Sequence, residues 1–249
     1  MPALARKSCS LIVDVLLVII CSCCMKKTLI ISDLHLNNSF DRELSHYIAN
    51  LVRSVDQVII NGDFWDHYIC SFDEFVASEW NQLFPILREK NAIFIYGNHD
   101  KAAFSDERVT FFSAKQVVEY TLHSGDKRFI IEHGNRIAPE MDDKHPTLAN
   151  LFDRFYPRFY FYMMKDLWAT RFIHRKFMYP KQEKLDVILQ RYFSRLDDAS
   201  VDGYICGHSH IFAASPTFKY YNSGYFFAGE AHYLIIEDGT ISRHSEFYW

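Results

Sequence analysis

Five times along this chain, a short run of branched or aromatic residues stops abruptly on a group drawn from Asp, His and Asn. Residues 28–32 run into Asp33-Leu34-His35, residues 58–61 into Gly62-Asp63, and residues 92–96 into Gly97-Asn98-His99-Asp100. Residues 128–132 lead into His133-Gly134, and residues 203–206 into Gly207-His208-Ser209-His210. Runs of this length and composition read as strands buried on both faces. Ligand sites in open α/β sheets lie beyond the carboxyl ends of the strands. The recurrence of these residue types at that place therefore constrains the fold and its chemistry together.

The intervening segments agree. Residues 40–52 and 72–89 carry apolar side chains at helical spacing, so the chain reads strand, helix, strand, helix, strand, the order of a parallel sheet with crossover helices. Further strands are expected at 117–122, 128–132, 203–206, 219–222 and 231–236, the first two joined by a hairpin turn at His123-Ser124-Gly125-Asp126. From about 146 to 196 the pattern turns helical and rich in Phe, Tyr, Trp and Met, broken at Pro157 and Pro180, which predicts a helical cap inserted into a continuous α/β core. A length of 249 residues, 49% of them hydrophobic, suits one α/β domain better than two. With 9 Gly, 7 Pro and no low-complexity tract, the composition excludes a disordered chain and a repeat array.

Ahead of the first strand, Arg6 and Lys7 precede an apolar stretch, residues 11–20, in the manner of a signal peptide or lipoprotein anchor. Asp14 interrupts that stretch, which falls short of the ~20 residues needed to span a bilayer, and no A-x-A-like cleavage site follows. Met25-Lys26-Lys27-Thr28 reads as an ordinary cytosolic start. The expected organisation is an apolar tail, residues 1–24, before a domain over 25–249, in a cytoplasmic protein, with export as the competing reading. Four of the six cysteines lie in the tail, leaving Cys70 and Cys206 as expected buried thiols rather than a disulfide framework.

Taken singly, an Asp-x-His or a Gly-Asp after a strand is a turn or a helix cap. Together, imidazoles and carboxylates at strand ends are the donor set of Zn, Mn or Fe. The series Asp-x-His, Gly-Asp, Gly-Asn-His-Asp, His-Gly and Gly-His-x-His resembles the signature of the calcineurin-like metallophosphoesterases, from Asp33 to His210. That resemblance implies a four-layer α/β sandwich, two mixed β-sheets flanked by helices, with a dinuclear centre at the strand ends. Asp33, His35 and His210 would hold one metal, Asn98, His133 and His208 the other, and Asp63 would bridge them. The implied cofactor is a pair of divalent ions, Mn first and Fe or Zn also compatible. A hydroxide held between them would attack phosphorus in line. Asn98 and His99 would contact the phosphate, His99 would protonate the leaving oxygen, and Asp100 would orient the His99 ring or else cap a helix. Arg136 would meet the substrate phosphate.

Within that family, Asp33-Leu34-His35-Leu36, Gly62-Asp63-Phe64-Trp65-Asp66 and the aromatic insertion are similar to the UDP-2,3-diacylglucosamine hydrolase branch. The chain departs from it at His99, where the branch carries arginine. The branch implies a lipid-linked nucleotide as partner and a lid that grips acyl chains. Residues 154–195 hold ten Lys or Arg against three Asp or Glu, a balance of +7 that leaves −11 for the rest of a chain of net charge −4. This segment would face phosphates or a membrane surface; the plainer reading is a solvated helical hairpin. A nuclease of the same family is the first alternative, disfavoured by the acidic remainder. A non-catalytic scaffold binding a partner through the aromatic insertion is the second.

Overall fold

The computed structural model describes residues 26–144, 179–196 and 198–249. The expected tail at 1–24 lies outside them, as does most of the expected cap at 146–196.

Four short strands form one parallel run: β1 (Thr28–Ile31), β2 (Gln57–Asn61), β3 (Ile93–Ile95) and β4 (Lys115–Val117). Helix α1 (Arg42–Arg53) crosses from β1 to β2. Its N-terminus is capped by Asp41, which accepts from the Leu44 amide, and Leu44, Ile48, Ala49 and Val52 form its buried face. The expected helix over 72–89 is broken. Ser71 and Glu74 form a capping box at the start of α2 (Phe72–Ala77), Ser78 turns extended at ψ 167°, and a 3₁₀ turn (Glu79–Leu83) leads into α3 (Phe84–Glu89), with Pro85 near its start.

The expected single strand 117–122 is in fact two strands in two sheets. β4 ends at Val117 beside β3, whereas β5 (Glu119–Ser124) pairs with β6 (Lys127–Glu132), and Val118 is the exposed corner between them. The hairpin turn falls where expected, at Gly125-Asp126, with Ser124 opposite Lys127. After the short helix α4 (Met141–Lys144) and helix α5 (Tyr179–Phe193), strand β7 (Gly203–Cys206) runs parallel to β6. The pair β8 (Ala214–Ser215) and β9 (Tyr220–Asn222) completes this second sheet, in the order β5-β6-β7-β9-β8. β10 (Phe226–Phe227), β11 (Glu230–Glu237) and β12 (Thr240–Phe247) return to the first sheet, where β11 lies antiparallel to β1.

Two-residue alternation sorts the side chains into layers. Leu29 and Ile31 of β1, Val58 and Ile60 of β2, and Phe94 of β3 pack under α1, α2 and α3. Ile30, Ile59, Ile93 and Ile95 face the other way and meet Leu122, Phe129, Ile131 and Ile205 of the second sheet. Beyond that sheet, Leu185, Leu189 and Phe193 of α5 cover Tyr204, Cys206 and Tyr220. The result is the four-layer sandwich of helices, mixed sheet, mixed sheet and helix. Cys70 and Cys206 are both buried free thiols.

Candidate metal centre

The parallel strands β1, β2 and β3 of one sheet and β6 and β7 of the other end on one shared edge, and the polar clusters meet there. Backbone hydrogen bonds lock the loops together: the Leu34 and His35 amides donate to the Asp63 carbonyl at 2.9 Å, and the Gly207 amide to the His133 carbonyl at 3.0 Å. The His208 amide donates to both Asp33 carboxylate oxygens, at 3.1 and 3.0 Å. Gly97 stands against Asp63 so closely that a Cβ there would lie 2.1 Å from Asp63 Oδ1; at Gly207 it would lie 2.5 Å from Asp33 Oδ2. Both positions need glycine because backbone must approach carboxylate.

Asp33 (φ 54°), His35 (φ 46°), Asp63 (φ 51°), His208 (φ 66°) and His210 (φ 54°) all adopt left-handed backbone. Each such residue costs about 1–2 kcal/mol. Strain concentrated in this way marks a place where side-chain direction matters more than local comfort.

The donor atoms fall into three groups, two of which share the Asp63 carboxylate, while the third joins His35 and His99 to Asp66. Asp33, His35, Asp63 and His210 form the first and Asp63, His133 and His208 the second, with the donor atoms of each group within 4.8 Å of one another. His210 Nε2 lies 3.1 Å from Asp33 Oδ1. His133 Nε2 lies 3.2 Å from Asp63 Oδ2 and also 3.2 Å from Asn98 Oδ1, so the amide oxygen is turned into the second group.

Three of the four imidazoles in the two groups that share Asp63 are oriented from behind. His133 Nδ1 donates to the Asn61 carbonyl at 2.8 Å, His208 Nε2 to the Ala138 carbonyl at 2.8 Å, and His35 Nδ1 to Asp66 Oδ2 at 3.1 Å. A ring that gives its proton away on one nitrogen presents a lone pair on the other, the arrangement a metal ligand requires. The fit to a cation is sharpest between His35 Nε2 and His210 Nε2, only 3.2 Å apart. With the His35 proton committed to Asp66, His35 Nε2 carries a lone pair, which either an N–H of His210 or a cation between the rings would meet.

Electrostatics agree. Burial works to raise the Asp63 and Asp33 carboxyls, but the surrounding imidazoles, His133 foremost for Asp63 and His210 for Asp33, hold both below the usual carboxylate range. Conversely, burial would lower His133, yet Asp63 and Asp33 hold its imidazole up to about 10. His208 is lowered by burial and by the neighbouring His133 charge.

His99 sits beside the two groups that share Asp63, its ring edge-on to His35 with centroids 4.5 Å apart. Its Nδ1 meets Asp66 Oδ1 at 3.0 Å. The expected partner, Asp100, does something else: its Oδ1 accepts from the Gly97 amide and its Oδ2 from the Phe64 amide, each at 2.7 Å. It therefore staples the loop after β3 to the loop after β2. Nor does it cap the following 3₁₀ turn, Ala102–Phe104, which starts at Lys101 without a side-chain cap. Burial and the Asp63 charge push the Asp100 carboxyl up to about 7, opposed by the two amides. Arg136 is paired with two acidic residues. It is 53% exposed, and its Nη2 binds Glu132 Oε2 at 3.0 Å and Glu119 Oε2 at 3.5 Å. With Tyr96, Lys101 and His133 it lines a cavity of about 220 Å³.

Asp66, not singled out from the sequence, is the residue that holds both His35 and His99. Burial opposes its ionisation, but those two rings keep it well below the carboxylate range. The available signal was its spacing, three residues after Asp63 in Asp63-Phe64-Trp65-Asp66.

Comparison with known proteins gives a family and a set of distant structures. The calcineurin-like phosphoesterase family model matches residues 26–212. A solved archaeal phosphodiesterase is 16% identical, with 88% of this chain and 99% of that chain covered and a TM-score of 0.43. YfcE, a phosphoesterase from E. coli, is 12% identical over 87% of this chain and 91% of its own, with a TM-score of 0.45. Vacuolar protein sorting 29 from Cryptosporidium parvum is 15% identical over 89% and 97%, with a TM-score of 0.40. No curated protein matches the chain. Among the described residues, no helix is long and apolar enough to cross a membrane.

Proposed function

Since the chain belongs to the calcineurin-like phosphoesterase family, and is thereby a metal-dependent phosphoesterase, we propose that it hydrolyses a phosphodiester or pyrophosphate bond at a two-cation centre. The observation that carries this reading is Asp63, whose carboxylate belongs to two donor groups at once. A two-oxygen donor between two sets of ligands suits a pair of cations, with Asp33, His35 and His210 on one side and Asn98, His133 and His208 on the other. Manganese suits this mixture of carboxylate, amide oxygen and imidazole, and we take it as the ion. Such a pair supplies the positive charge that activates water and meets the charge developing on the phosphoryl oxygens.

The chain's own residues then do three things. Asp66 fixes the His99 ring through Nδ1, so a His99 imidazolium, protonated on both nitrogens, would present Nε2–H to the phosphate or give that proton to the leaving oxygen. Asp66 also fixes the His35 ring, so one carboxylate aligns the proton donor with a ligand. Asp100 ties the two loops that carry Asp63 and His99. For the substrate we propose a lipid-linked nucleotide diphosphate of the UDP-2,3-diacylglucosamine type. Its support is the likeness of Asp33-Leu34-His35-Leu36 and Gly62-Asp63-Phe64-Trp65-Asp66 to that branch, and the aromatic, basic segment that would meet acyl chains at a membrane surface.

The test is a phosphoester panel in Mn²⁺ with wild type and Asp63→Ala, run with and without detergent. Turnover of bis-p-nitrophenyl phosphate by wild type, lost in Asp63→Ala, is the expected result; protein that binds Mn²⁺ yet turns over nothing would overturn the reaction. Preference for a diacylated nucleotide diphosphate over oligonucleotides would support the substrate, and cleavage of DNA alone would remove it.

A further inference from the structure

We infer that Asp186, on α5, is a positioning residue for the metal centre: it holds Ser209 from behind and so sets the direction of His208 and His210. The inference rests on the two-cation reading above and extends it to a residue outside the ligand clusters.

Asp186 is 4% exposed, on a helix whose other buried side chains are mostly apolar. Its Oδ1 accepts from the Tyr220 hydroxyl at 2.6 Å and from the Ser209 hydroxyl at 3.2 Å, and its Oδ2 from Gln190 Nε2 at 2.7 Å. Asn222 completes the network, donating to the Gly207 carbonyl at 2.8 Å and to Ser209 Oγ at 2.9 Å. Docking α5 does not require this carboxylate, because Leu185, Leu189 and Phe193 already pack on Tyr204, Cys206 and Tyr220. A buried carboxylate costs free energy unless its hydrogen bonds serve something.

What it serves is the loop. His208 and His210 both stand in left-handed backbone, and Ser209, fully buried between them, is the point at which the loop can be gripped. A strained segment relaxes unless its surroundings over-determine it. α5 also supports His208 by a second route, since Leu189 packs in one cluster with Ala138, whose carbonyl accepts from His208 Nε2. Residues behind a ligand set its orientation and hence the affinity for the ion.

The experiment measures Mn²⁺ affinity of the full-length protein by calorimetry, at a temperature where circular dichroism shows each variant folded. Asp186→Ala is expected to weaken Mn²⁺ binding roughly 10- to 100-fold. Asp186→Asn, whose amide oxygen can still accept from Ser209 and Tyr220, stays within about threefold of wild type, as does Gln190→Ala, which removes only the Oδ2 partner. Ser209→Ala matches Asp186→Ala, and the double variant is no worse than the poorer single one, because both break the same contact. Folded Asp186→Ala with wild-type affinity, or losses that add in the double variant, overturns the inference. Should Asp186→Ala fail to fold, Ser209→Ala decides alone: weakened binding supports the inference and wild-type affinity overturns it. Wild type that takes up no Mn²⁺ refutes the two-cation reading itself and this inference with it, an outcome distinct from both.

Discussion

The protonation of His133 couples this centre to pH. Held up to about 10 by Asp63 and Asp33 against burial, the imidazole carries a proton at neutral pH, on the same donor set that a cation needs. Its folded value lies above the ordinary 6.5, so its contribution to stability is fully present below 6.5 and fades as pH rises through about 10. A cation must expel that proton, so Mn²⁺ affinity should rise by up to about tenfold per pH unit below that limit. Calorimetry in buffers of different ionisation enthalpy should show close to one proton released per centre; no release would contradict this account. Asp66→Asn should lower kcat by roughly 10- to 100-fold, since it loosens His99 and His35 together. Kinetics over a substrate range, beside a Mn²⁺ titration, would separate the two contributions, and unchanged kcat at saturating metal would remove Asp66 from the mechanism. Gly97→Ala should abolish metal binding, because the new methyl would fall on Asp63 Oδ1. This is read by Mn²⁺ titration of folded protein.

At the scale of elements, what matters is that the candidate ligands hang from strand ends that do not depend on the helices' own propensities. Asp41→Ala, which removes the cap of α1, should cost about 1 kcal/mol in denaturant unfolding while leaving Mn²⁺ affinity unchanged. A change in affinity would mean that α1 reaches the site. The sequence misjudged elements where local chemistry outranked periodicity. Residues 72–89 keep apolar spacing throughout, yet Ser78 turns extended and Pro85 cannot donate a helical hydrogen bond, so the segment divides. Residues 117–122 read as one strand because β character is the same in either sheet, and only pairing partners distinguish β4 from β5. Strand β12 has no counterpart among the strands expected from the sequence, although Asp238-Gly239, both at positive φ, is a strong hairpin signal between it and β11.

For the molecule as a whole, the centre is a clasp between two sheets: Asp33, Asp63 and Asn98 follow strands of one, and His133 and His208 follow strands of the other. Cation binding should therefore stabilise the entire sandwich. At 100 times the dissociation constant the gain is about 2.7 kcal/mol. For a chain of this size that corresponds to a Tm increase of roughly 5–10 °C, to be compared by calorimetric melting with and without chelator. Equal melting temperatures would show that the two sheets are held together without help from the site.

The sequence by itself determined the strand-end clusters and the alternation of strand and helix from β1 to β3, because buried parallel strands and metal-binding side chains are both recorded locally, in residue type and spacing. The tertiary structure alone decided which carboxylate serves which ring. Asp100 directly follows His99 and Asp66 precedes it by 33 residues, yet Asp66 faces the ring and Asp100 is drawn off by the amides of Gly97 and Phe64. Likewise Arg136 is claimed by Glu132 and Glu119, and Asp186 reaches Ser209 from a helix 23 residues earlier. Hydrogen bonds of this kind depend on distances between segments that only packing brings together.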